Sequence, residues 1–76
     1  MSWRLEITRN HDGDWSKDLI VEKAVGQRQS DSGAGMGWRD MGFHFATKRE
    51  AEEPRKRVEA GCNFRIITRI WNTNDG

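Results

Sequence analysis

The chain has little of several residues and patterns that mark common protein classes. Its 76 residues include one cysteine, one proline and no tyrosine. A single cysteine cannot close an internal disulfide, which excludes a disulfide-stapled scaffold and favours a reducing compartment. No apolar run reaches the length of a signal peptide or a membrane span. We therefore expect a cytoplasmic protein with no membrane partner.

An excess of charge of one sign is also missing. Thirteen basic and twelve acidic residues leave a formal net charge of +1, so no overall field attracts nucleic acid or anionic lipid. Hydrophobic residues make up 34% of the chain, and four tryptophans and three phenylalanines supply core volume where aliphatic residues are scarce. We expect one domain, residues 1–76. Its stability should be marginal, because so short a chain buries only about 60–65% of its unfolded surface.

The first half of the chain alternates apolar and polar residues, which is typical of strands. Trp3, Leu5 and Ile7 share one parity and predict a strand over residues 2–9. The Asp-Gly pair in residues 10–14 predicts a hairpin into a second strand over residues 15–25. A helix over residues 16–24 is the alternative there. The Gly/Ser-rich residues 26–37 have no apolar period and predict a mobile loop.

The second half predicts a strand, a helix and a further strand. Thr47 and Glu50 have the spacing of a capping box, so the helix should begin at Lys48 and end near Ala60, with Gly61 in the left-handed conformation. Pro54 should kink this helix or split it. The last strand is expected over residues 63–71, followed by a frayed tail, 72–76.

Together these segments predict an α+β fold. We expect a small, mostly antiparallel sheet of three or four strands in β-β-β-α-β order, covered on one face by a single helix. The predicted order also leaves one face of the sheet exposed.

No convergent set of catalytic or metal-binding residues is evident. Residues 33–37 are glycine-rich, but no helix follows them to bind a phosphate. Residues 12–18 resemble the start of an EF-hand calcium loop, although Lys17 and Lys23 stand where that loop needs a glycine and a closing glutamate. His11, His44 and Cys62 lack zinc-site spacing. We predict no cofactor, no metal and no enzymatic activity, and we interpret Cys62 as structural.

The best candidate binding surface is a row of side chains on the outward face of the last strand. A row of exposed arginine, isoleucine and tryptophan has the composition of a protein interface, and equally that of a surface that stacks bases. Trp38 and Arg39 are expected to anchor the base of the glycine-rich loop. The predicted partner-binding residues are Trp38, Arg39, Arg65, Ile67, Arg69 and Trp71.

Residues Phe45–Glu52 resemble the strand-to-helix junction of the arm-type DNA-binding domains of tyrosine recombinases, in which a three-stranded sheet enters a DNA groove. Here a further strand follows the helix, unlike the pattern of that family. The resemblance implies a nucleic-acid-binding module that uses a basic and aromatic sheet face.

Three functions remain open from the sequence. The first is a small non-enzymatic protein that occupies a surface of a larger protein partner. In size and style it is similar to phage and mobile-element inhibitors of host machinery, anti-CRISPR proteins among them. The alternative is nucleic-acid binding, and the third is a metal-free ribonuclease or toxin that uses His11 and His44. A homodimer fits all three.

Overall fold

The structure is a computed structural model that describes residues 2–10 and 13–73. Strands and helices alternate along most of this length. In chain order they are β1 (Trp3–Asn10), α1 (Ser16–Val25), β2 (Asp31–Gly35), β3 (Trp38–Phe45), α2 (Lys48–Gly61) and β4 (Ile66–Asn72).

The four strands form one antiparallel sheet in the order β2-β3-β1-β4. The predicted α+β class and the small antiparallel sheet are therefore confirmed. The predicted β-β-β-α-β order is wrong, because a second helix makes the order β-α-β-β-α-β, the arrangement called split β-α-β. The two long β1 pairings place β1 and β3 at the centre and β2 and β4 at the edges.

The predicted second strand is the helix α1, which was the alternative. Val21 and Val25 lie one turn apart and are both buried, so the helical period outweighs the strand parity. Gly26 ends the helix in the left-handed conformation, with φ of 92°, and its N–H donates to the Glu22 carbonyl at 2.8 Å. The hairpin predicted at residues 10–14 is also wrong, since this segment leads into α1. His11 and Asp12 lie outside the described residues.

The loop predicted over residues 26–37 is wrong for Asp31–Gly35, which form β2. Met36 and Gly37 then turn the chain into β3 with φ of 53° and 83°, as a two-residue hairpin of type I′ requires. All five β2 residues are exposed, so backbone pairing to β3, rather than an apolar face, makes this segment a strand.

Helix α2 begins as predicted, because the Thr47 Oγ1 accepts the N–H of Glu50 at 3.1 Å. It continues through the buried Pro54 to Gly61, so the predicted splitting is wrong. The left-handed stop predicted at Gly61 is also wrong. Cys62 closes the helix in an extended conformation, and its N–H donates to the Val58 carbonyl at 3.0 Å.

Both helices cover the same face of the sheet. The core between them comprises apolar side chains from β1, β3, α1 and α2, namely Leu5, Ile7, Val21, Val25, Met41, Phe43, Ala51 and Val58. Arg57 of α2 also ties the helices together, because its guanidinium donates to the Ala24 and Val25 carbonyls at 2.9 and 2.8 Å. These are the carbonyls that the last turn of α1 leaves without helical partners.

The last strand starts and ends later than predicted. It runs to Asn72, and the N–H of Thr73 donates to the Ser2 carbonyl at 2.9 Å. Positions 72 and 73, which were predicted to belong to a frayed tail, are thus paired with the N-terminal end of the sheet, while positions 74–76 lie outside the described residues. Neither helix is long and apolar enough to cross a membrane.

Candidate functional site

The sheet face opposite the helices carries no covering element among the described residues, and we call it the open face. On β1 the buried Leu5 and Ile7 point towards the helices, so the alternating residues Arg4, Glu6 and Thr8 point to the open face. Registers with the neighbouring strands then assign the rest. The open-face residues are Arg4, Glu6, Thr8 and Asn10 of β1, Asp31, Gly33 and Gly35 of β2, Trp38, Asp40, Gly42 and His44 of β3, and Ile67, Arg69 and Trp71 of β4.

Most of the predicted binding residues lie on this face. Ile67 and Trp71 are partly exposed there, as is Trp38 at the far end of β3. Arg65 is exposed just before β4 begins. Arg4 of β1 lies beside this row, because it is the register partner of Trp71.

Arg39 does not join the other predicted binding residues. Adjacent residues of a strand point to opposite faces, so Arg39 lies on the helix side while Trp38 lies on the open face. There the Arg39 guanidinium lies 4.9 Å from the centroid of the Trp15 ring. Trp38 and Arg39, predicted as anchors of the same binding surface, therefore lie on opposite faces of the sheet.

One arginine spans three strands of the open face. The Arg4 guanidinium leaves β1, crosses β3 above Gly42 and donates two hydrogen bonds to the Asp31 carboxylate of β2 at 2.7 and 2.8 Å. A Cβ atom on Gly42 would overlap the Arg4 guanidinium, so only glycine leaves the space for this crossing. The same guanidinium lies 5.7 Å from the Trp71 ring centroid, within cation–π range.

This bridge changes the acidity of both groups. The hydrogen bonds from Arg4 hold the pKa of Asp31 below its ordinary value, and the hydrogen bonds to Asp31 raise the pKa of Arg4. The Arg4 guanidinium is therefore paired with the Asp31 carboxylate and also with the Glu6 carboxylate, whose Oε2 lies 3.7 Å from the Arg4 Nη2. Less of that charge is left for a phosphate.

The open face has no surplus of positive charge. It carries two arginines (Arg4 and Arg69) and three carboxylates (Glu6, Asp31 and Asp40), while Arg65 lies just before the paired residues of β4. The Asp40 carboxylate also accepts a hydrogen bond from the Thr8 hydroxyl at 2.7 Å. The two tryptophans of the open face lie at opposite ends of it, since Trp71 is opposite Arg4 and Trp38 is opposite Asn10. Six residues of β1 separate them by about 20 Å at the rise of a strand.

A second charged cluster lies between the sheet and α1. The two oxygens of Asp18 accept from different arginines, Oδ1 from Arg9 at 2.8 and 3.1 Å and Oδ2 from Arg39 at 2.8 Å. Burial by itself would raise the pKa of Asp18, but the hydrogen bonds from Arg39 and Arg9 outweigh it and lower that pKa. The Arg9 side chain is fully buried, so this cluster belongs to the structural core.

The remaining candidate chemistry does not converge among the described residues. His44 is on the open face, where its Nε2 lies 3.5 Å from the Arg4 Nη1, whereas Cys62 packs against the core on the helix side. Burial raises the pKa of the Cys62 thiol, which disfavours the thiolate that a nucleophile needs. No three His, Cys, Asp or Glu side chains among residues 2–10 and 13–73 are arranged to hold a metal ion.

Comparison with known proteins identifies no relative: no protein-family model, curated protein or solved structure matches this chain. Sequence reasoning missed Asp31 and Gly42, the two residues that make the Arg4 crossing possible. A glycine between Met41 and Phe43 in an apolar strand pattern was the available signal for a close approach of another group.

Proposed function

We propose that this chain is a small non-enzymatic binding protein that occupies the surface of a larger protein through its open face. The observation that carries the proposal is a face without surplus positive charge that exposes Trp38, Ile67 and Trp71. Partly exposed aromatic side chains beside arginine are the residue types that contribute most to protein interfaces.

Charge and spacing favour a protein partner over a nucleic acid. A phosphate-binding face needs a surplus of arginine or lysine, but here three carboxylates outnumber the two arginines. Sheet domains that bind RNA stack successive bases on neighbouring aromatic rings. Trp38 and Trp71 are about 20 Å apart, too far for that arrangement. Nucleic-acid binding through this face is the second candidate, supported by the cation–π pair of Arg4 and Trp71.

The proposed mode of action is occlusion, because the face offers contact area rather than a reacting group. An inhibitor of larger machinery of the kind encoded by phages and mobile elements would act in this way. We propose a cytoplasmic location, in which the free thiol of Cys62 stays reduced.

The test is affinity capture with a charge and aromatic change on the open face. Arg69→Glu combined with Trp71→Ala should abolish capture of a lysate protein identified by mass spectrometry. The matched control is Lys23→Glu combined with Leu19→Ala, the same kinds of change on the exposed side of α1. Capture that survives the open-face changes would refute the proposal.

A mobility-shift assay with short mixed DNA and RNA distinguishes nucleic-acid binding, the second candidate, from protein binding. A shift at low salt that disappears as salt rises would favour nucleic-acid binding, because bound phosphates release counterions. The protein proposal expects no shift at any salt concentration.

A further inference from the structure

The two edges of the sheet differ. Strand β2 is five residues long, with three small residues, Gly33, Ala34 and Gly35, next to its turn. Strand β4 is seven residues long and pairs with β1 in an unbroken register from Ile66 to Asn72. Within the described residues no strand pairs with its outer edge.

Strand β4 has few of the features that usually protect an edge. Protected edges carry charged side chains, lysine above all, a proline or a bulge, or they are very short. The segment Ile66–Asn72 has one charged side chain, Arg69, contains neither proline nor lysine, and pairs with β1 without a bulge. A regular, seven-residue edge of this kind is a template for another strand.

From these features we propose that β4 pairs antiparallel with β4 of a second copy of this chain, forming one eight-stranded sheet with both open faces on the same side. This inference does not depend on the proposed function. It follows from which residues the symmetry would place opposite each other.

A two-fold axis between the two β4 strands places one β4 residue opposite the same residue of the second copy. Repulsion between like charges excludes two positions of this axis. With the axis at Arg69, two guanidiniums would meet directly. With the axis at Ile67, Arg65 of each copy would face Arg69 of the other. Like charges directly opposite each other destabilise a strand pair.

With the axis at Thr68, the side chains that face each other across the two strands are the most complementary. On the helix side it sets Thr68 opposite Thr68 of the second copy and Ile66 opposite Ile70 twice, pairs that stabilise antiparallel strands. On the open face it sets Arg65 opposite Trp71 twice and Ile67 opposite Arg69 twice, with no like charges opposed. An axis at Ile70 would instead set Thr68 opposite Asn72 and leave Ile66 without a partner in β4.

This register predicts opposite effects for two substitutions at the exposed Ile67. Ile67→Lys removes the isoleucine and sets an ammonium group opposite Arg69 of the second copy, twice per dimer. Ile67→Glu removes the same side chain and sets a carboxylate there. We expect the dimer dissociation constant to be about 10-fold or more higher for Ile67→Lys than for Ile67→Glu.

A second variant tests the same pairing by rescue. Adding Arg69→Glu to Ile67→Lys restores opposite charges across the interface, so dimerisation should recover relative to Ile67→Lys alone. The positions are exposed on the sheet, and circular dichroism would verify that each variant keeps the fold.

The measurement is sedimentation equilibrium or light scattering of purified protein over about 1–200 μM, a range that covers micromolar dimers. The expected result is a concentration-dependent mass approaching twice 8.8 kDa, with the stated order of variants and the rescue. A constant mass of 8.8 kDa would overturn the proposal. A dimer that responds equally to both Ile67 substitutions, or shows no rescue, would overturn it as well. None of these readouts uses the partner sought by affinity capture, so the two proposals fail separately.

Discussion

Replacing Asp18 with asparagine tests the buried cluster of Arg9, Asp18 and Arg39. The substitution keeps the size of the side chain but removes the charge that both guanidiniums bind. Arg9 is fully buried and the Asp18 side chain is 9% exposed, so water cannot replace the lost carboxylate. Removing one partner of a buried ion pair costs about 3–5 kcal/mol.

That cost is large for this chain. A domain of this size has a free energy of unfolding of about 4–11 kcal/mol at typical values per residue. A loss of about 3 kcal/mol lowers the melting temperature of so small a domain by about 12 °C or more. The assay is thermal unfolding followed by circular dichroism, with urea unfolding as a second measure of the same free energy.

The matched control is Asp31→Asn. Asp31 also accepts two hydrogen bonds from one arginine, but its side chain is 57% exposed. An exposed ion pair contributes about 0–1 kcal/mol, so this variant should lose only a few degrees. If both substitutions cost the same small amount, burial does not make the Asp18 cluster important, and the reasoning is refuted.

The cluster also predicts how stability depends on pH. Because the folded-state pKa of Asp18 is lowered, its contribution is fully present above the ordinary value of 3.8 and is lost as the pH falls through the lower folded-state pKa. The wild-type chain should therefore lose more stability on acidification below about pH 4 than Asp18→Asn does. Equal pH dependence of the two proteins would contradict this.

Two further predictions concern Gly42 and Cys62. Gly42→Ala should displace the Arg4 guanidinium from Asp31 and cost about 0.5–1 kcal/mol in urea unfolding, but cost less in an Arg4→Met background; equal losses in both backgrounds would contradict the crossing. The Cys62 thiol should react with iodoacetamide more slowly than free cysteine at pH 7.5, because burial raises its pKa. Faster alkylation than free cysteine would show an activated thiol instead.

The parts of the fold that local signals determine were predictable. The parity of Trp3, Leu5 and Ile7 identified β1, and the Thr47 cap identified the start of α2. The α+β class followed from those elements. The open face could also be predicted at β4, since Ile67, Arg69 and Trp71 alternate with Ile66, Thr68 and Ile70 along that strand.

The errors arose where the local pattern fits two structures. In residues 15–25 the buried Val21 and Val25 satisfy both a strand parity and a helical step, and contacts with the rest of the core decide between them. The strand β2 has no apolar period because neither of its faces is buried. Its pairing with β3 depends on backbone hydrogen bonds and on Arg4, which no local pattern reveals.

The exposed position of β2 affects the order in which parts of the domain unfold. Because none of the β2 residues is buried, detaching this strand uncovers little apolar surface from the core. Detachment of β2 breaks its backbone hydrogen bonds to β3 and the hydrogen bonds between Arg4 and Asp31. The core between the helices and the central strands stays packed. We therefore expect β2 to open separately from the core of β1, β3 and both helices, with a free energy of opening that depends mainly on surface contacts.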